Sequence, residues 1–189
     1  MQLRRRSDQR AFALIEVLVS LLLAGLAVVG LATAQASALR TTRMGLHRTV
    51  AQQAIADLAE RLRANRVGAS NTESGASPYQ LQQTWSAQQS DAAQPLAQSC
   101  DGPQAVCTPL GFAQADLAQW QTLLRRSLPS AAGWVQVDVA AGLADVAVAW
   151  TDARPLNLDE APRGPDECPA GLGIDATSTV RCLQARVAW

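Results

Sequence analysis

From Phe12 to Ala34 the chain is apolar at every position except Glu16, Ser20 and Thr33. A helix of about twenty such residues crosses the hydrocarbon core of a bilayer, so the run predicts a membrane-spanning segment over residues 12–34. Gly25 and Gly30 interrupt it, each weakening a helix by about 1 kcal/mol relative to Ala. Lipid-embedded helices tolerate that, and the five-residue spacing does not form the four-residue small-residue motif of a dedicated dimerisation face. Past Ala34 the pattern stays helical but becomes one-sided. Leu39, Leu46, Val50, Ile55, Leu58 and Leu62 recur at intervals of three to seven, with Arg40, Arg43, Gln52, Gln53, Glu60, Arg61 and Arg63 between them. That is an amphipathic helix with one apolar stripe, over residues 35–66. No proline occurs before Pro78, and Asn65 with Gly68 supplies the first stop signal. One continuous helix from about Phe12 to about Arg66 is expected, ~80 Å long at 1.5 Å per residue.

Residues 67–189 read as a globular head. Its first part, 67–107, is rich in Ser, Gln, Ala and Asn with little periodicity, and Tyr79, Leu81 and Trp85 are its expected anchors. Thr108-Pro109 has the form of a helix start, Thr as cap and Pro in the first turn. Leu117, Trp120, Leu124 and Leu128 then share one face before Pro129 ends the helix; Trp120 is read as a core anchor rather than a ligand platform. From about residue 134 the period changes to two. Trp134, Val135, Val137 and Val139 belong to a first strand, Ala141-Gly142 to a turn, and Val146, Val148 and Trp150 to a second strand, a hairpin. A loop rich in Pro, Gly and acid follows, including Asp159, Glu160, Asp166 and Glu167, read as solvated surface without calcium-loop spacing. Leu183, Ala185, Val187 and Trp189 alternate as a last strand, with Cys182 just before it. The predicted fold class is α+β: a long N-terminal helix packed on a small antiparallel sheet spanning about 134–189.

Charge refines the picture at one end. All 16 basic residues are Arg, and they balance 16 acidic ones, which offers no ground for a nucleic-acid partner. Residues 1–11 are polar, basic and too short to fold alone, so they read as a leader. Arg4, Arg5, Arg6 and Arg10 precede the apolar run with only Asp8 opposing them, which holds that end in the cytoplasm and places the remainder outside. Cys100, Cys107, Cys168 and Cys182 all follow the apolar run, and an even count in an exported domain favours disulfides. Cys100 and Cys107 bracket the turn residues Asp101-Gly102-Pro103, and a Cys168–Cys182 bond would staple the acidic loop to the last strand. These two pairings are expected, although spacing alone leaves all three connectivities open.

Catalytic chemistry finds little footing. No cysteine pair has the two-residue gap of a zinc knuckle, and His47 is the only histidine, so no metal site is expected. His47 neighbours Arg48 on the long helix, where a satisfied or solvated imidazole is expected, not the base of a nucleophilic pair. No nucleophile elbow, phosphate loop or dinucleotide fingerprint occurs, and no cofactor is implied. What stands out is Glu16. A carboxylate inside a spanning segment costs a few kcal/mol and calls for a functional reason.

Ala11-Phe12-Ala13-Leu14-Ile15-Glu16-Val17-Leu18-Val19, behind its basic leader, resembles the class III leader junction of type IV pilins and their relatives. The resemblance implies that a prepilin peptidase cuts between Ala11 and Phe12 and methylates the new amine of Phe12. It further implies anchoring in the inner membrane by a single pass with a periplasmic head, then assembly at the cell surface into a filament whose core is the bundled helices. There Glu16 would pair with the Phe12 amine of a neighbouring subunit and fix axial register, since a charge partner offsets the cost of a buried carboxylate. Ala11 departs from the Gly usual at that place. Residues Ile55 to Arg66, Cys107-Thr108-Pro109, Asp116 to Trp120, Leu128-Pro129 and Val146 to Trp150 are similar, in the same order, to the PilV family of minor pilins. That implies a type IV pilin-like fold and a minor pilin that primes or caps pili and so supports adhesion and twitching motility. Its partners would be the major pilin, other minor pilins and a tip adhesin. A type II secretion pseudopilin shares the leader and helix and is the first alternative. A periplasmic binding protein with an ordinary signal peptide ending at Ala32-Thr33-Ala34 is the second, but it gives Glu16 no purpose.

Overall fold

In the computed structural model, residues 5–73, 75–90, 100, 106–151, 168–174 and 179–189 are described. Helix α1 spans Arg5–Ala64 without a break, passing through both Gly25 and Gly30. It begins inside the segment read as an unfolded leader. Extending an existing helix backwards avoids the cost of nucleation, so polar residues can join a turn they would not start. The chain divides into two units, Met1–Met44 and Gly45–Trp189.

In the first unit the side chains from Leu14 onward are exposed. Leu14, Leu18, Leu21, Leu22 and Leu26 each keep roughly three fifths or more of their surface open. This is the helix that is long and apolar enough to cross a membrane. Its two hydroxyls turn back on the helix: Ser20 donates to the Val17 carbonyl at 2.9 Å and Thr33 to that of Gly30 at 2.8 Å. Neither therefore presents an unsatisfied donor to an apolar surrounding.

The second unit is an α+β head, with the C-terminal part of α1 packed against a three-stranded antiparallel sheet. Strands β1 (Ala132–Asp138), β2 (Leu143–Thr151) and β3 (Val180–Ala188) lie in the order β1-β2-β3. Val135 opposes Val146, and Val148 opposes Leu183. Between β1 and β2, the Asp138 carboxylate accepts from the Ala141 N–H, and Gly142 takes a φ of 64° that favours glycine. Val135, Ala144, Val146, Val148 and Trp150 face a core shared with Ala51, Ala54, Ile55, Leu58 and Leu62 of α1. The helical stripe read from the sequence is thus only half used. Leu39 and Leu46 remain 63% and 59% exposed, and in the second unit full burial begins at Ala51, where the helix meets the sheet. Ala51, Ala54 and Ala59 are among the buried residues of α1.

Helix α4 (Pro109–Ser127) closes the same core. Thr108 caps it, its hydroxyl accepting from the Gly111 N–H at 3.1 Å, with Pro109 at the first helical position. Trp120, fully buried, donates its indole N–H to the Ala54 carbonyl at 2.8 Å and so ties α4 to α1. Its ring also lies against Gly133 of β1, where any Cβ would collide with ring carbons.

The outer face of the sheet carries a second, smaller core that the alternation did not foretell. Ala132, Trp134, Ala147, Ala149 and Cys182 pack there under Leu172 of a short 3-10 helix (Ala170–Leu172), with Trp85 and Cys168 at the margin. Cys182 lies within β3, not ahead of it. The segment expected to be irregular contains helix α2 (Arg66–Ala69) and helix α3 (Trp85–Ser90). It also seals the free edge of β1. Leu81 exchanges both backbone bonds with Val135, the Gln88 amide bonds both polar groups of Gly133, and Gln80 accepts from the Val137 N–H. An edge covered in this way offers no template for a stray strand. The Asp101–Pro103 turn and the acidic loop with Asp159, Glu160, Asp166 and Glu167 lie outside the described residues.

Candidate functional site

Ala11 and Phe12 sit in the helical backbone of α1, and Glu16 follows Phe12 by four residues, a little over one turn. The Glu16 side chain is exposed and has no salt-bridge partner among the described residues. In a soluble setting such a carboxylate would be unremarkable. Surrounded by Leu14, Ile15, Val17 and Leu18, all exposed, it is the one charge on a surface built for an apolar environment. A carboxylate placed there calls for a charge partner to offset its cost.

The four cysteines meet in pairs. Cys100 is bonded to Cys107, and Cys168 to Cys182, with Cα–Cα distances of 6.0 and 5.1 Å. The second bond ties the 3-10 helix to β3 beneath the outer core. His47 is half-buried, and its Nδ1 has no hydrogen-bond partner among the described residues. Among the described residues no three His, Cys, Asp or Glu side chains converge as metal ligands. A shallow cleft of about 360 Å³ on the outer sheet face is lined by Trp134, Pro169, Gln184, Asp145 and Arg186. Its two charged groups are engaged with one another in a two-pronged pair, at 2.7 and 2.8 Å.

A polar cluster missed in the sequence joins the end of α1 to α4. Arg61 donates to Asp57 at 2.8 Å, one helical turn back, and reaches across to Asp116 at 3.0 Å and Gln119 at 3.1 Å. Tyr79 donates its hydroxyl to the other Asp116 oxygen at 2.6 Å, while Asn65 bonds the Tyr79 oxygen and the Pro109 carbonyl. Burial works against the Arg61 charge, but the bonds to Asp57 and Asp116 outweigh it and hold its pKa above the ordinary value. For Tyr79 burial itself raises the pKa, and the bond to Asp116 adds to it against the opposing bond from Asn65. The i,i+4 spacing of Asp57 and Arg61 was visible as a local pair. That Asp116 and Tyr79 complete it depends on the fold.

Residues 6–32 match the prokaryotic N-terminal methylation motif. No curated protein and no solved structure matches the chain. The motif runs from within the basic leader through Ala11, Phe12 and Glu16 into the apolar helix, the same stretch that carries the unexplained carboxylate. It supports a prepilin of the type IV pilin or pseudopilin kind, a structural subunit rather than an enzyme. With it come processing by a prepilin peptidase and assembly with other pilins. The apolar helix fits anchoring in the inner membrane and a place in a pilus or pseudopilus.

Proposed function

We propose that this chain is a minor pilin of the type IV pilus, of the PilV kind, that helps prime or cap pilus assembly and so supports adhesion and twitching. The observation that carries the reading is the coincidence, on one helix, of the methylation motif with a lone carboxylate in an otherwise apolar exposed segment. Cleavage between Ala11 and Phe12 frees an amine. Methylation keeps that amine cationic while making it more apolar. Buried in a helix bundle, the Phe12 amine of one subunit and Glu16 of its neighbour satisfy each other, and neither has an equivalent partner elsewhere. The cost of leaving either alone in low dielectric makes one axial register far better than the rest. The two disulfides and the covered β1 edge give the head the robustness an exported module needs. Major pilin, other minor pilins and a tip adhesin are the partners this role requires.

The type II secretion pseudopilin is the second reading, favoured by the fact that the same N-terminal motif serves it. Shearing of surface pili followed by immunodetection separates the two. A minor pilin is recovered with the sheared pili, and Glu16→Ala removes it from that fraction while leaving it in the inner membrane. Recovery of Glu16→Ala at the level of the unaltered chain refutes the pairing role, and consistent absence of the unaltered protein from pili favours the pseudopilin.

A further inference from the structure

Arg40 and Arg43 are the first two arginines past the apolar run. Arg61, Arg63 and Arg186 each pair with a carboxylate, whereas Arg40 and Arg43 are exposed and join no salt bridge among the described residues. None is available nearby along the chain, since no acidic residue occurs from Val17 to Ala56. The two sit three residues apart, so they are neighbours on one helical face. They follow Ala34, the end of the apolar run, by six and nine residues, about 9 and 14 Å along a helix. Headgroups occupy only the first several ångströms beyond the hydrocarbon. Helical side chains lean toward the N-terminus, however, and long arginines bend their charge toward the interface. A side chain of that length, leaning back along the helix, can bring its guanidinium to the headgroup level. The hydroxyls of Thr41 and Thr42 bond to the carbonyls of Ser37 and Ala38 and do not compete for the same ligand.

We propose that Arg40 and Arg43 form a binding site for the phosphate of anionic lipid headgroups at the outer surface of the membrane that the apolar helix spans. The inference rests on the membrane-anchored reading above and adds a ligand to it. It also accounts for an awkward count. Four arginines precede the apolar run and three, Arg40, Arg43 and Arg48, closely follow it, so the bias that orients the helix is slight. Lipid phosphate neutralises the trailing cations, and the planar guanidinium takes two phosphate oxygens at once. A chain held this way keeps its unassembled helix at a fixed depth, and leaving the membrane for a filament requires the lipid to be released.

The test is native mass spectrometry of the full chain released from micelles holding equal amounts of phosphatidylglycerol and phosphatidylcholine. The expected result is retained anionic lipid in preference to zwitterionic by about tenfold or more, in line with the attraction of two cations to an anionic surface. Arg40→Gln/Arg43→Gln brings the preference close to one, while Arg125→Gln/Arg126→Gln, on the head, leaves it unchanged. An unaltered preference in the Arg40/Arg43 variant, or none in the parent, overturns the proposal. Loss of retained lipid on adding millimolar inorganic phosphate assigns the site to free phosphate and overturns it too. Alkaline carbonate extraction of membranes distinguishes the underlying reading: a parent chain that extracts is not anchored, whereas one that resists extraction but shows no lipid preference refutes the lipid site alone.

Discussion

Tyr79 is the only tyrosine of the chain, it is fully buried, and its hydroxyl donates to Asp116 at 2.6 Å. Replacing it with Phe keeps the ring and removes one oxygen, so the perturbation is confined to the polar cluster. A hydrogen bond to a charged group contributes about 1.5–3 kcal/mol, and here the loss also leaves an oxygen of Asp116 without its donor. About 2 kcal/mol is the expected cost, which for a head of this size lowers Tm by roughly 6–8 °C. The same geometry has a direct optical readout. Burial first, and the bond to Asp116 second, raise the Tyr79 pKa in the folded state above its unfolded value. A raised folded pKa means that the native state holds its proton more tightly, so this stabilisation is complete below the unfolded pKa. It declines as pH climbs above about 10 toward the folded value. Tyrosinate absorbance at 295 nm in the native protein should therefore stay flat through pH 10 and rise only at higher pH, with Tyr79→Phe removing the signal. In Asp116→Asn the ionisation moves back toward the ordinary phenol range. A native titration centred near pH 10, or a Tyr79→Phe variant with unchanged Tm, refutes the reasoning.

Other expectations can be read by thermal denaturation and peptide mapping. Gly133→Ala should destabilise the head by at least about 2 kcal/mol, because the added methyl meets the Trp120 ring in a packed core; a stable variant contradicts that contact. Trp120→Phe should cost about 2–4 kcal/mol by opening a cavity and leaving the Ala54 carbonyl without its indole donor. Removing the Cys168–Cys182 bond as a double Ser variant should cost about 3 kcal/mol from the loop it closes. Non-reducing peptide maps should show Cys100–Cys107 and Cys168–Cys182 peptides, and cross-pairing would contradict the structure.

How far the sequence alone discloses this molecule varies by element. The Thr108-Pro109 cap, the Pro129 stop and the alternation around Val146 and Val148 carry local signals, and local chemistry decides such features. The apolar run and Glu16 stand out because lipid tolerates so few sequences. Elsewhere the deciding contacts are remote. Leu46 belongs to the same apolar stripe as Leu58 and Leu62, and only the position of the sheet along the helix leaves it exposed. Ala132, Ala147 and Ala149 look like filler, yet they form the floor of the outer core because the disulfide brings the 3-10 helix over them. Tyr79 was legible as an anchor, but not as the partner of Asp116, 37 residues away. For the candidate site the balance is reversed. Ala11, Phe12 and Glu16 form a motif readable in one line, while the chemistry proposed for them calls on a peptidase and a neighbouring subunit, neither part of a single chain.

The mature N-terminus, determined by mass spectrometry of protein recovered from cells, bears most directly on the proposed role. The expected peptide begins at Phe12 and carries one methyl group on its amine, with residues 1–11 absent. A mature chain beginning at Gln35, after Ala32-Thr33-Ala34, or one retaining its leader in a membrane that contains active prepilin peptidase, would contradict it.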